Sequence, residues 1–164
     1  MVFSLVSSAN YSQGAECLPS EARGRQCVPS CLMFLLTAYT KPCANIVTDD
    51  LNEILYAGSN LYCALRECGA ISDLTDPQDL PERVSYKGRT IFVRHKGVLS
   101  GFMGENPLID SEIYYRLDDA LLRVTASENN LIIVFGGISV GVHKCDSSFY
   151  IFDSHIFQLD PILI

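Results

Sequence analysis

The chain is short of basic charge, of long apolar runs and of metal-binding spacings, and each shortage removes a class of function. Its 12 Lys and Arg residues stand against 19 Asp and Glu, for a net charge of −7, and no Lys/Arg run exceeds two residues. Nucleic-acid binding requires a basic stripe that neutralises phosphates, so no nucleic-acid partner is expected. No apolar run approaches the roughly 18 residues that span a bilayer, so no membrane segment is expected either. The opening MVFSLVSSAN has neither the basic start nor the long apolar centre of an export signal. Seven cysteines, at positions 17, 27, 31, 43, 63, 68 and 145, contain no Cys-x2-Cys pair and no Cys/His finger spacing, which argues against zinc. An odd number without framework spacing or export signal reads as free thiols in a reducing, intracellular compartment, the cytoplasm.

What is present suits one folded domain over residues 1–164. Apolar residues make up 48% of the 164, enough for a real core. Val2 to Val6 alternates as a first strand. The stretch 27–39, CVPSCLMFLLTAY, is the most apolar in the chain, and its length and Leu, Met and Ala content favour a buried helix. Pro29 fits only a first turn, which puts the helix start at Cys27 or Val28, and Pro42 stops it. A second helix is predicted from Thr48, as N-cap, to Gly58, and a third short one from Leu61 to Cys68, capped by Gly69. Thr75 to Glu82, with two prolines, reads as a loop.

The second half changes character. Arg89 to Lys96 reads as a strand, Lys96 to Pro107 as a glycine-rich connection, and Ser111 to Val124 carries helical spacing. Leu131 to Val142 and Phe149 to Phe157 are β-branched or aromatic, with a hairpin turn over Lys144 to Ser148. Helices first and antiparallel strands later give an α+β fold.

Two short segments carry chemistry. Cys27 lies where a loop enters a buried helix, so its sulfur meets the unpaired N–H groups of the helix start, a setting that favours a thiolate; Arg23 and Arg25 would act in the same sense. Cys31, one turn further in, has only packing to explain it. Asp153-Ser154-His155 follows the apolar Phe149 to Phe152. Residues two apart in a strand share a face, so Asp153 and His155 become neighbours, with Tyr150, Phe152 and Ser154 on the opposite side. A carboxylate holding one imidazole nitrogen leaves the other to take a proton from a thiol. Together with Cys27 this is the Cys–His arrangement of a thiol hydrolase acting on a peptide-like bond. Acyl transfer also needs donors for an oxyanion. The Cys27 backbone N–H is one, and the side-chain amide of Gln13 or Gln26 a second, with Gln13 better placed to approach from outside the helix. His95 and His143 have no carboxylate two residues away and read as solvated or hairpin residues.

Three blocks occur in an order that resembles a known family: Gly24-Arg25-Gln26-Cys27 before an apolar helix, Asp50 to Gly58, and Phe152-Asp153-Ser154-His155. They resemble the ubiquitin-specific cysteine protease domain of the herpesvirus large tegument protein and related tegument-like deubiquitinases. The resemblance implies a papain-like cysteine protease, with helices packed on a mainly antiparallel sheet. It also implies hydrolysis of isopeptide bonds after the C-terminal glycine of ubiquitin, through a Cys27 thioester. In this pattern His155 is the base, Asp153 orients it, and Gln13 supports the oxyanion. No metal or organic cofactor is implied. The expected partners are ubiquitin and polyubiquitin chains, or a ubiquitin-like modifier, met in a host cytoplasm or nucleus. Ubiquitin's tail is basic, so Asp49, Asp50 and Glu53 on the second helix are expected to line an acidic channel for it. The other readings are a papain-like hydrolase of peptides or amides, and a non-catalytic ubiquitin-binding module. Two departures from the family pattern, Ser154 in place of a usual proline and a chain ending nine residues after His155, imply a compact, divergent relative.

Overall fold

The computed structural model describes residues 6–102 and 114–155. The expected first strand falls almost wholly outside them, as do parts of the 96–107 connection, the 111–124 helix and the 149–157 strand.

A central helix, α1, runs Cys27–Thr40, and 12 of its 14 residues are buried. A helix apolar all round must be covered all round. On one side lies α2, Thr48–Glu67. On the other lies an antiparallel sheet of β5, Asn130–Phe135, β6, Ile138–Cys145, and β7, Ser148–Asp153, in the order β5-β6-β7. A hairpin of β1, Arg83–Tyr86, and β2, Arg89–Phe92, completes the core, with the Tyr86 hydroxyl 2.7 Å from Thr37 Oγ1 on α1. β3, Ser100–Phe102, pairs in parallel with β4, Tyr114–Arg116, ahead of α3, Leu117–Val124. Helices on a mainly antiparallel sheet make the fold α+β.

Several elements differ from the sequence-based expectation. The predicted second and third helices are one. Gly58 does not end α2 but sits at its crossing with α1, where a Cβ would come within 2.7 Å of Ser30 Cα. The cost of glycine inside a helix is offset by the close approach it permits. Gly69, at φ +75°, closes α2, and Ala70 N–H donates to Leu65 O at 2.9 Å. Val47, not Thr48, precedes the first helical residue, and Asp50 reaches back to accept its N–H at 2.9 Å. The single segment Leu131 to Val142 is two strands folded at Gly136 and Gly137, both with positive φ. Residues 114–116 are strand rather than helix, because pairing with β3 overrides their helical spacing.

Gly141 fixes how α1 meets the sheet. A Cβ there would lie 3.0 Å from the Phe34 ring and 3.4 Å from Cys31 Cα, so the helix rests directly on β6. Phe34 also stacks on Phe152 of β7, ring centroids 5.2 Å apart. Phe152 and Ser154 are buried toward this seam, while Asp153 and His155 keep partial exposure.

Candidate active site

Strand register brings the distant chemistry-bearing residues to one end of the seam. On β6, Val140 pairs with Asp153 of β7, and Ser139 immediately precedes it. The Ser139 hydroxyl contacts Cys27 Sγ at 3.5 Å, with both residues buried. The first residue of α1 therefore sits beside the end of β7 that carries Asp153 and His155. Cys27 begins a helix whose N-cap, Gln26, makes no side-chain cap, so the free N–H groups of the first turn remain at that end.

His155 is held by a local turn rather than by the strand pleat. β7 ends at Asp153, and a single carboxylate oxygen, Asp153 Oδ1, accepts both the His155 backbone N–H and ring Nδ1, each at 2.8 Å. An aspartate that binds the backbone two residues on makes this kind of turn. A carboxylate only accepts, so Nδ1 donates, and in a neutral ring Nε2 is then the nitrogen with the free lone pair. Nε2 has no partner among the described residues.

The segment before α1 closes the other side. Gln13 N–H donates to Ser154 O at 2.9 Å, and Gln13 O accepts from Gly24 N–H at 3.2 Å and from Gln26 Nε2 at 3.3 Å. Gln13 is thus pinned between β7 and the start of α1, with its own Oε1 buried and unpaired. Gln26 is fully buried, and its amide nitrogen is engaged by Gln13 O. Contacts thus link Cys27 to Ser139, the neighbouring Val140 to Asp153, Asp153 to His155, and Gln13 to Ser154.

Other expected residues lie elsewhere or are occupied. Arg23 binds Leu18 O and Glu16 O, and Arg25 pairs with Asp73 at 3.3 Å, so their donors are directed away from the thiol. Asp50 pairs with Lys41 just past the end of α1. The acidic turn therefore sits roughly 20 Å along α1 from Cys27, at 1.5 Å per residue. Burial raises the Asp50 carboxyl, but the Lys41 ammonium and the Val47 N–H outweigh it and hold the group below the usual carboxylate range. Glu53 pairs with Lys87 of the β1–β2 turn at 2.9 Å. Asp49 is exposed. His95 binds Leu80 O and His143 binds Asn130 Oδ1. Burial, with Cys27 and Asp153 nearby, pushes the Cys31 thiol far above its ordinary value. All seven cysteines are free. Among the described residues no helix is long and apolar enough to cross a membrane. Ser139 was not foreseen: a serine in a β-branched run carries no sequence signal, and only the register reveals it.

The sequence matches the family described as "Herpesvirus tegument protein, N-terminal conserved region" over residues 8–160. The chain belongs to this family. It is 27% identical over 140 residues to the large tegument protein deneddylase of Human herpesvirus 7 (strain JI), a match covering 80% of this chain and 7% of that protein. The protein of the same name from Murid herpesvirus 4 is 26% identical over 166 residues, covering 97% of this chain and 7% of its own length. The chain thus spans about 7% of the length of these relatives. Among solved structures, it shares its fold with the ubiquitin-specific protease encoded by murine cytomegalovirus tegument protein M48, solved with a ubiquitin-based suicide substrate. The TM-score is 0.72 at 21% identity, over 92% of this chain and 67% of that one. The papain-like α+β architecture follows from that match.

Proposed function

We propose that residues 1–164 act as one deubiquitinating cysteine protease domain, which hydrolyses the isopeptide bond after the C-terminal glycine of ubiquitin. The observation that supports this is the Asp153–His155 pair, bonded at 2.8 Å, on the strand end whose partner Val140 adjoins Ser139, the residue in contact with the Cys27 sulfur.

In this reading His155 Nε2 takes the Cys27 proton, and the thiolate at the positive end of α1 attacks the glycine carbonyl. The developing oxyanion is met by the Cys27 backbone N–H and the Gln13 side-chain amide. The imidazolium, stabilised by Asp153, then protonates the departing lysine amine. Water, activated by the neutral imidazole, hydrolyses the thioester and restores the thiol. Each step uses the chain's own side chains, one backbone N–H and water, and calls on no metal or organic cofactor.

The acidic residues divide. Asp50 and Glu53 hold α2 to its neighbours, and Asp49 remains to meet a basic patch of the bound modifier. Asp49→Asn then raises KM with little change in kcat, and an unchanged KM removes Asp49 from the interface. Conjugates of this kind occur in the cytoplasm and nucleus of a host cell, which is where the domain would act.

The relatives' names favour a second substrate, the modifier removed by a deneddylase. Hydrolysis of fluorogenic ubiquitin and NEDD8 C-terminal conjugates separates the two. Faster ubiquitin turnover supports the first reading, and faster NEDD8 turnover the second. Cleavage of small peptides alone would make the domain a general thiol hydrolase. Binding of ubiquitin without turnover would make it a recognition module.

A further inference from the structure

We propose that Ser139 is a positioning residue for the nucleophile, its hydroxyl holding the Cys27 sulfur and donating to it once the thiol proton has left. The inference rests on the reading of Cys27 as the attacking group, and it adds a residue that the Cys–His–Asp pattern does not contain.

Three observations bear on it. First, the Ser139 hydroxyl lies 3.5 Å from Cys27 Sγ and is only 2% exposed. Among the described residues it has no other partner. A buried hydroxyl without a partner is costly, so the contact with sulfur is what satisfies it. Second, packing at this position does not call for a polar residue. α1 lies flush on β6, where Gly141 receives Cys31 and Phe34, and Ser139 receives Cys27 one turn earlier. Alanine would meet the same steric demand, so the oxygen is surplus to packing. Third, Cys31 supplies an internal control. It is fully buried on the same helix face, and among the described residues no hydroxyl meets its sulfur, so the polar partner is particular to Cys27.

The chemistry follows from what a hydroxyl can do. A thiol is a weak donor, and in the resting site its S–H points to the Ser139 oxygen. When His155 removes that proton, the hydroxyl rotates and donates O–H to the sulfur anion, a charge-assisted bond stronger than the one it replaces. No proton leaves Ser139 and no covalent bond forms to it. Because Ser139 adjoins Val140, the partner of Asp153, the bond also keeps the sulfur at the His155 end of the sheet.

The test uses the full chain and needs no ubiquitin. Alkylation of Cys27 by iodoacetamide, assigned by peptide mass spectrometry, is followed from acid to mildly alkaline pH in wild type and in Ser139→Ala. The variant is expected to shift the profile to higher pH and to slow neutral-pH alkylation about tenfold, the loss of one charge-assisted hydrogen bond. Ser139→Thr, which keeps the hydroxyl, should recover most of the wild-type rate. A superimposable Ser139→Ala profile overturns the proposal and leaves serine there for packing alone. If alanine lowers Tm, Ser139→Thr decides instead: a wild-type profile supports the proposal and a displaced one overturns it. Failure of the wild type to turn over ubiquitin conjugates, with the Ser139→Ala profile still shifted, would sink the deubiquitinase reading and leave this one standing.

Discussion

The two ends of α1 use their polar groups in opposite ways. At the far end, Lys41 and Asp50 form an ion pair, Asp50 also takes the Val47 N–H, and Thr40 Oγ1 binds the Thr37 and Leu36 carbonyls. These groups are paired within the fold. At the Cys27 end the sulfur has one weak partner, His155 Nε2 has none among the described residues, and Gln13 Oε1 is buried and unpaired. Stability is settled at one end, and hydrogen-bonding capacity is left open at the other.

That contrast can be broken by substitutions that should act on only one side of it. The largest effect is expected for Asp153→Asn, which keeps the turn's shape but spoils the imidazole tautomer. Turnover of a ubiquitin conjugate should fall by about 10² to 10⁴ with Tm unchanged, and wild-type turnover would end the pairing's catalytic role. Gln13→Ala follows, with a loss of roughly 2–4 kcal/mol in the barrier if its amide meets the oxyanion. A loss below about tenfold would leave the backbone N–H as the sole donor.

Gly58→Ala probes the first turn of α1, where α2 crosses it, and should affect stability first. Its methyl group would run into the Ser30 backbone, and forcing the helices apart costs about 2 kcal/mol, read as a lower Tm in thermal unfolding. An unchanged Tm would mean that the crossing is looser than it looks. The smallest effect belongs to Asp50→Asn, about 1 kcal/mol from the lost helix-start contacts, with kcat intact. Because the folded carboxyl lies below its unfolded value, its contribution is present above the ordinary carboxylate range and fades as pH falls through the folded value. The Tm gap between wild type and Asp50→Asn should therefore close in acid.

The parts legible in the sequence are those where local chemistry agrees with the fold. α1 runs from Cys27 to just before Pro42 because a proline-tolerant first turn, an apolar run and a terminal proline all point the same way. The alternation around Asp153 and His155 was likewise readable, since Phe152 and Ser154 turn inward. The turn that joins Asp153 to His155 was not, because one carboxylate oxygen binding both N–H groups is a matter of geometry. Gly58 misled for a physical reason: glycine disfavours helix locally, and only the approach of Ser30 explains its presence. β1 was hidden because its strand pairing comes from β2 and its burial from Tyr86 meeting Thr37. The family resemblance turns Asp49, Asp50 and Glu53 toward a basic tail, whereas the partners of Asp50 and Glu53, Lys41 and Lys87, lie 9 and 34 residues from them in the chain. Ser139 needed the register of β6 and β7 before it meant anything.

The central claim is that Cys27, and not its buried neighbour on the same helix, forms the thioester. Reaction of the chain with ubiquitin bearing an electrophile at its C-terminus, followed by mapping of the adduct by peptide mass spectrometry, tests it directly. The account predicts a single adduct on Cys27, lost in Cys27→Ala and retained in Cys31→Ala. An adduct on any other cysteine, or labelling that persists in Cys27→Ala, would contradict it.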